Sequence, residues 1–240
     1  MTHLRSRTSS MHSPAETLTR DEQPFHYSTP TFVTDAVRKR LGRLITYPVL
    51  HAKSTALVVI DMQNHFVCAT VPSAVPQARG IVPAINGMAN ALRAAGGKVI
   101  WVQTTAEGAL QAWPNHHANF LSASSTTQRL ASLAEDSPAY RLYPALDVHS
   151  IDHFARKIKY SAMIDDSSEL PSLLGALNID SLLIAGTVTN TCCETTARDA
   201  SMRNYKVVML SDANAARERS LHEAALNNFQ LYFGDVASTH

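Results

Sequence analysis

Short runs of β-branched and aliphatic residues that alternate with stretches of helical spacing leave this chain few folds to choose from. TALVVID (55–61), KVIWVQT (98–104), HFARKIK (153–159), SLLIAG (181–186) and KVVMLSD (206–212) read as strands. Several are continuously apolar, the mark of strands covered on both faces. Between them, VPAINGMANALRAAG (82–96), SSELPSLLGALN (167–178), CCETTARDASMRN (192–204) and RSLHEAALNNFQLY (219–232) carry helical spacing, the first stopping at Gly96-Gly97. This is the pattern of βαβ units. It predicts a three-layer α/β/α fold around a mainly parallel sheet of about six strands.

The 240 residues, 45% of them hydrophobic, fit one α/β domain with an extension. Residues 1–30, rich in Ser, Thr, His and charge, read as a flexible N-terminal arm. Residues 31–52 form an N-terminal extension in which VTDAVRKRLGRL can make a short helix, and the domain proper occupies 53–240. The stretch from Thr105 to Pro144 holds Trp113, His116, His117 and a Ser/Thr run without a strand-like block, and is expected to be a lid or binding loop. No helix is expected over the final VASTH.

With 21 Lys+Arg against 20 Asp+Glu, the formal charge of +1 offers no bulk attraction to nucleic acid or anionic lipid. No run approaches the roughly 18 apolar residues of a membrane span, and MTHLRSRTSS lacks the apolar stretch of a secretory signal, so the expected location is the cytoplasm. Cys68, Cys192 and Cys193 are too few, and two of them too close, for a disulfide framework, which suits a reduced compartment.

Open parallel sheets bind ligands at the carboxyl ends of their strands. Asp61 follows the apolar run TALVVI, where partial desolvation suits a carboxylate to act as a base. Cys192 opens a predicted helix after AGTVTNT; the helix dipole there is expected to lower the thiol pKa, and the amides can hold an oxyanion. Lys157 and Lys159 share one face of ARKIKYSAM, and spacing alone does not choose between them. His149 with His153, and His116 with His117, lack the surrounding ligands of a metal site. There is no GxGxxG, P-loop or GxSxG.

Together, ALVVIDMQNHF, the K-x-x-Y-S-A segment at 157–162 and GTVTNTCCETTARDA at 186–200 resemble the isochorismatase-like cysteine hydrolase superfamily, whose sheet has a Rossmann-like topology. The resemblance extends over about 53–236. It implies that Asp61, Lys157 and Cys192 form the catalytic set, and it selects Lys157 over Lys159. It also implies a non-proline cis peptide at Thr187-Val188 that aims the Val188 amide, with that of Cys192, at a developing oxyanion. Cys193 departs from the valine usual there.

Members that keep the cysteine are amidases, so the resemblance implies an amidohydrolase that cleaves a small amide, ureido or N-carbamoyl compound through a Cys192 thioester. The alternatives are a vinyl-ether hydrolase of isochorismatase type and a catalytically silent binding member. WVQTTAEG lacks the Asp-x-His metal site of nicotinamidases, so neither metal nor cofactor is expected. Phe66, Trp113 and Tyr160 are aromatic candidates for pocket walls, with Asn64 and Gln103 as polar ones. The expected assembly is a homodimer or homotetramer, in which the 1–50 segment is able to wrap a neighbour.

Overall fold

The structure is a computed structural model that describes residues 18–19 and 22–240, so much of the expected arm, residues 1–17 with 20 and 21, lies outside the described residues. The strands are β1 (Thr55–Ile60), β2 (Lys98–Thr104), β3 (His153–Lys157), β4 (Ser181–Thr187), β5 (Lys206–Ala215) and β6 (Asp235–Ala237). They form one sheet in the order β3-β2-β1-β4-β5-β6, and all neighbours run parallel. The helices are α1 (Thr31–Leu41), α2 (Asn64–Val67), α3 (Val82–Ala94), α4 (Ala109–Ala112), α5 (Ala123–Leu133), α6 (Leu170–Ala176), α7 (Glu194–Met202) and α8 (Arg219–Tyr232). This is the three-layer α/β/α arrangement that the alternation predicts.

The continuous apolar strands are explained by what lies on each side of them. All six residues of β1 are buried, and successive side chains point to opposite faces. Ala56, Val58 and Ile60 share a cluster with Leu170 and Leu174 of α6, Ala197 and Ala200 of α7, and Phe229 of α8. Leu57 and Val59 join Ile85, Ala89 and Leu92 of α3 in the other. Each of the Val, Leu, Ile and Phe side chains among these contributes about 1.5–3 kcal/mol on full burial. A strand that was polar on either face would forfeit one of the two layers.

Polar anchors fix how the layers meet. Arg93 of α3 pairs with Asp152, just before β3, with Nη2 2.6 Å from Oδ2. The same Oδ2 accepts from the Trp101 indole of β2 at 2.9 Å. On the opposite side, Tyr27 donates to Asn227 and Thr29 to Gln230, both on α8. The Asp235 carboxylate of β6 accepts from the Thr46 and Tyr47 amides at 2.8 Å each. The described part of the N-terminal region thus packs on its own chain.

Two details differ from expectation. The sheet's sixth strand, β6, lies in the tail, where three residues are too few to leave a periodic signal. β5 also continues to Ala215 past a shift in register opposite Ile184 and Gly186. There the Asn214 amide donates to the Ile184 and Leu210 carbonyls at 2.8 and 2.7 Å, satisfying groups that the irregular pairing leaves over.

The segment expected as a lid folds into α4, a wide helical turn at His116–Phe120, and α5. Its two ends close on each other through Ala106 N to Leu133 O at 3.0 Å and Thr105 Oγ1 to Glu135 Oε1 at 3.1 Å.

Gly186, near the end of β4, adopts φ +116° and approaches β1 so closely that an added Cβ would lie 2.1 Å from the Ile60 carbonyl oxygen. Because the obstacle is backbone, Gly186→Ala is expected to destabilise the fold by about 3 kcal/mol or more. Urea unfolding of the two proteins side by side measures this.

Candidate active site

The strand order reverses at β1 and β4: two crossovers lead outward to β2 and then β3, and the chain returns to β4 on the far side of β1. Such a reversal opens a crevice at the carboxyl ends of the strands. Asp61 directly follows β1, with φ +53° and its amide donating to Val102 O at 2.9 Å. Aspartate tolerates this left-handed conformation better than most residues. The bend turns its carboxylate across the ends of β2 and β3.

At the next strand end, Thr104 Oγ1 donates to Asp61 Oδ1 at 2.8 Å. Lys157, the last residue of β3 and directly opposite Thr104 in the parallel register, sets Nζ 2.8 Å from Asp61 Oδ2. Its ammonium also donates to Thr104 Oγ1 at 2.7 Å and to the Lys159 carbonyl at 3.2 Å. Of the two lysines that share this face in sequence, Lys157 brings its charge to Asp61 and Lys159 supplies a carbonyl.

The Lys157 and Asp61 side chains are only 1% and 0% exposed. At that depth an unpaired charge is prohibitive, and each ion depends on the other. Burial works against the Lys157 charge, yet the negative ends of Asp61 and Cys192 outweigh it and raise its pKa. The contact of Nζ with Oδ2 is an ion pair without hydrogen-bond alignment, so that oxygen keeps a lone pair for another donor.

The Cys192 thiol lies near enough to Asp61 for the carboxylate to oppose its ionisation. Cys192 does not open α7 as expected; it lies within a wide helical turn, Thr189–Cys193, that precedes it. Nor is its thiol pKa lowered. Burial pushes it up to about 12, with Lys157 and Arg129 pulling down and Asp61 pushing up. A dipole at a helix start is a weak influence beside the loss of water around a buried sulfur. Cys193 is fully buried in the core, with its thiol pKa also raised by burial.

The peptide between Thr187 and Val188 is cis. Behind this elbow, Thr189 Oγ1 lies 2.9 Å from His222 Nδ1. His222 is wholly buried, and burial lowers its pKa to about 4. Neutral, it braces the turn from α8, while the Phe25 and Tyr27 rings meet it edge-on.

The pocket candidates divide into two groups. Trp113 stacks on His116 with centroids 4.0 Å apart and meets Tyr160 edge-to-face at 4.7 Å, and Tyr160 lies within the field of Cys192 and Lys157. Asn64 donates to Pro138 O and Gln103 to Tyr140 O, so both hold the 137–141 loop. Phe66 is buried in the cluster on the α3 face. Among the described residues, no group of three or more His, Cys, Asp and Glu side chains is placed to share a metal ion.

Two residues singled out by the geometry were not candidates from sequence. Thr104 is the hydroxyl bridge between Asp61 and Lys157, and its signal was its place at the end of KVIWVQT, on the same rim. Gln63 accepts from the Thr104 amide at 2.8 Å and donates to the Thr104 and Tyr140 carbonyls at 3.0 and 2.9 Å, clamping β2 to the residues after Asp61.

The raised thiol gives a signed expectation. A group whose pKa is higher folded than unfolded stabilises the fold below its unfolded pKa and loses that contribution as pH rises toward the folded value. For Cys192 the window runs from its ordinary value of 9.0 to about 12. Urea midpoints are therefore expected to fall with pH above about 9, and to fall less steeply in Cys192→Ala.

Comparison with known proteins identifies the fold and its lineage. The Isochorismatase domain model matches residues 55–240. The ureidoacrylate amidohydrolase RutB of Stutzerimonas stutzeri is 33% identical over 211 residues, covering 79% of this chain and 81% of that protein; that of Variovorax paradoxus is 32% identical over 203 residues, covering 79% and 80%. The crystal structure of a cysteine hydrolase from Pseudomonas syringae pv. phaseolicola superposes with a TM-score of 0.69 at 30% identity, covering 82% of this chain and 93% of that one. N-carbamoylsarcosine amidase from Thermoplasma acidophilum shares the fold, with a TM-score of 0.60 at 23% identity and coverage of 78% and 96%. A reversal-point site on an all-parallel sheet and a family match over most of its length together establish that this chain belongs to the isochorismatase family.

Proposed function

We propose that the protein is a cysteine amidohydrolase that cleaves the C–N bond of a small amide, ureido or N-carbamoyl compound, with Asp61, Lys157 and Cys192 as its catalytic residues. The observation that carries this reading is the buried Asp61 carboxylate, paired with the Lys157 ammonium and near enough to the Cys192 thiol to act on its proton. The likeness to ureidoacrylate amidohydrolases supports the bond type.

The chemistry runs in two steps. Asp61 removes the thiol proton as Sγ attacks the carbonyl carbon, a proton transfer matched to bond formation because the isolated thiolate is disfavoured at this site. The carbonyl oxygen becomes an oxyanion, which the Val188 and Cys192 amides at the Thr187-Val188 elbow are assigned to stabilise. Its collapse breaks the C–N bond, and the proton on Asp61 passes to the departing nitrogen, releasing ammonia or an amine. Asp61 then takes a proton from water, the hydroxide attacks the thioester, and the proton returns to Sγ as the C–S bond breaks. Lys157 balances the carboxylate charge between these transfers, since removing a buried partner would leave that charge uncompensated.

The pocket walls in this reading are Trp113 and Tyr160, supported by Asn64, Phe66 and Gln103. Cys192 is 6% exposed, so part of its surroundings must move aside for the substrate, and the 105–144 segment is the lid in this reading. No helix among the described residues is long and apolar enough to cross a membrane. The reading places the protein in the cytoplasm as a homodimer or homotetramer.

Ammonia release over a panel of amides, ureides and carbamoyl amino acids tests the reaction, with a vinyl-ether acid as control. Cys192→Ala is expected to lower turnover by about 1,000-fold or more while the circular dichroism spectrum is retained. Retained activity in that variant, or cleavage of the vinyl ether alone, overturns the proposal.

A further inference from the structure

We propose that Arg129 anchors an anionic group of the substrate, so that the amides or ureido compounds preferred by this site carry a carboxylate a few bonds from the scissile carbonyl. This deepens the amide-hydrolase reading above and rests on it for the identity of the reacting carbonyl.

The first support is an accounting of the arginines. From Arg38 to Arg219, every described arginine but two has a carbonyl or carboxylate partner for its guanidinium. The exceptions are Arg141, which is exposed, and Arg129, which is half-buried on α5 and has no hydrogen bond or ion pair among the described residues. A guanidinium withdrawn from water without a partner is costly, and it presents a rigid fork matched to a carboxylate.

The second support is where it lies. Arg129 lines a small cavity with Thr104, Trp113, His117, Leu130, Leu133 and Ile158, so it adjoins both the Asp61–Lys157 bridge and an aromatic candidate for the pocket wall. Its field reaches Cys192, Lys157, Tyr160, His65, His116 and His117.

The third support is the charge balance. Asp61 is matched by Lys157, whose ammonium is committed to Asp61, Thr104 and Lys159. Glu135, near the end of the same segment, is taken by Arg156 and Thr105. His65, His116 and His117 have pKa values lowered chiefly by burial, which favours their neutral forms. Arg129 is therefore an uncompensated cation whose field reaches the thiol, and an anionic substrate supplies the missing partner. The cavity, about 10 Å³, has room for about one water, so α5 shifts outward as the substrate enters.

The test compares β-ureidopropionate with isopentylurea, in which an isopropyl group replaces the carboxylate with little change of shape. The wild-type protein is expected to favour the anion in kcat/KM. Arg129→Gln is expected to lower that value by about 30-fold for the anion and to leave the neutral compound within about threefold, with Arg129→Lys recovering part of the loss. Alkylation of Cys192 gives a readout independent of turnover: the ratio of the iodoacetate rate to the iodoacetamide rate is expected to fall in Arg129→Gln. An equal loss on both substrates, or an unchanged alkylation ratio, overturns the role of Arg129. If neither compound nor any other amide is cleaved, the amide-hydrolase reading fails instead, and the alkylation ratio still decides whether Arg129 recruits anions.

Discussion

A lysine and an aspartate that are almost fully removed from water govern how the rest of this molecule is built. Separating either ion from its partner would cost several kcal/mol, so the strand ends that carry them must be held in fixed register. β1, β2 and β3 do this together: Asp61 follows the first, Thr104 ends the second and Lys157 ends the third. The Thr104 hydroxyl accepts from the ammonium and donates to the carboxylate, completing a small ring of polar contacts. Gln63 then fastens that ring to the chain leaving β1. These interactions make the rim of the sheet rigid where an ordinary loop cluster would be soft.

The Cys192 sulfur comes from the other side of the strand-order reversal, and its approach depends on glycine. At Gly186 the backbone of β4 comes so close to Ile60 that no side chain fits between them. The elbow that follows delivers Cys192 to the carboxylate from across the crevice, with His222 bracing it from behind. The core thus positions two halves of a site that are distant in sequence, and the same close packing strips water from the sulfur. That desolvation is what sets the thiol against ionising alone, and in the proposed chemistry it is why the nearby carboxylate is needed.

Much of this was legible in sequence because the strongest signals were long and periodic. Five of the six strands and four of the flanking helices announced themselves by apolar runs and helical spacing. β6 did not, being three residues whose pairing is decided by Asp235 gripping the backbone at Thr46 and Tyr47. In the site, Asp61 and Cys192 stood out at the ends of apolar strands, whereas Lys157 and Lys159 were physically indistinguishable until β3 was placed against β2. Thr104 and Arg129 carried no distinguishing pattern: a threonine ending a strand and an arginine in a Ser/Thr-rich stretch acquire meaning only from what surrounds them. The thiol pKa was read with the wrong sign because helix position is visible in sequence and the depth of burial is not.

The segment running from Thr105 to Glu135 begins and ends at nearly one point, tied by two hydrogen bonds across its base. Trp113, His116, His117 and Arg129 all belong to it, while Asp61, Lys157 and Cys192 all lie outside. Trp113 and Arg129, two of the groups proposed to meet the substrate, thus sit on a piece of chain separable from the proposed catalytic residues, while Tyr160 lies outside it. That piece is a closed cassette that recombination or an engineer can exchange at its neck, which under the proposed roles alters which molecules are admitted while Asp61, Lys157 and Cys192 stay in place.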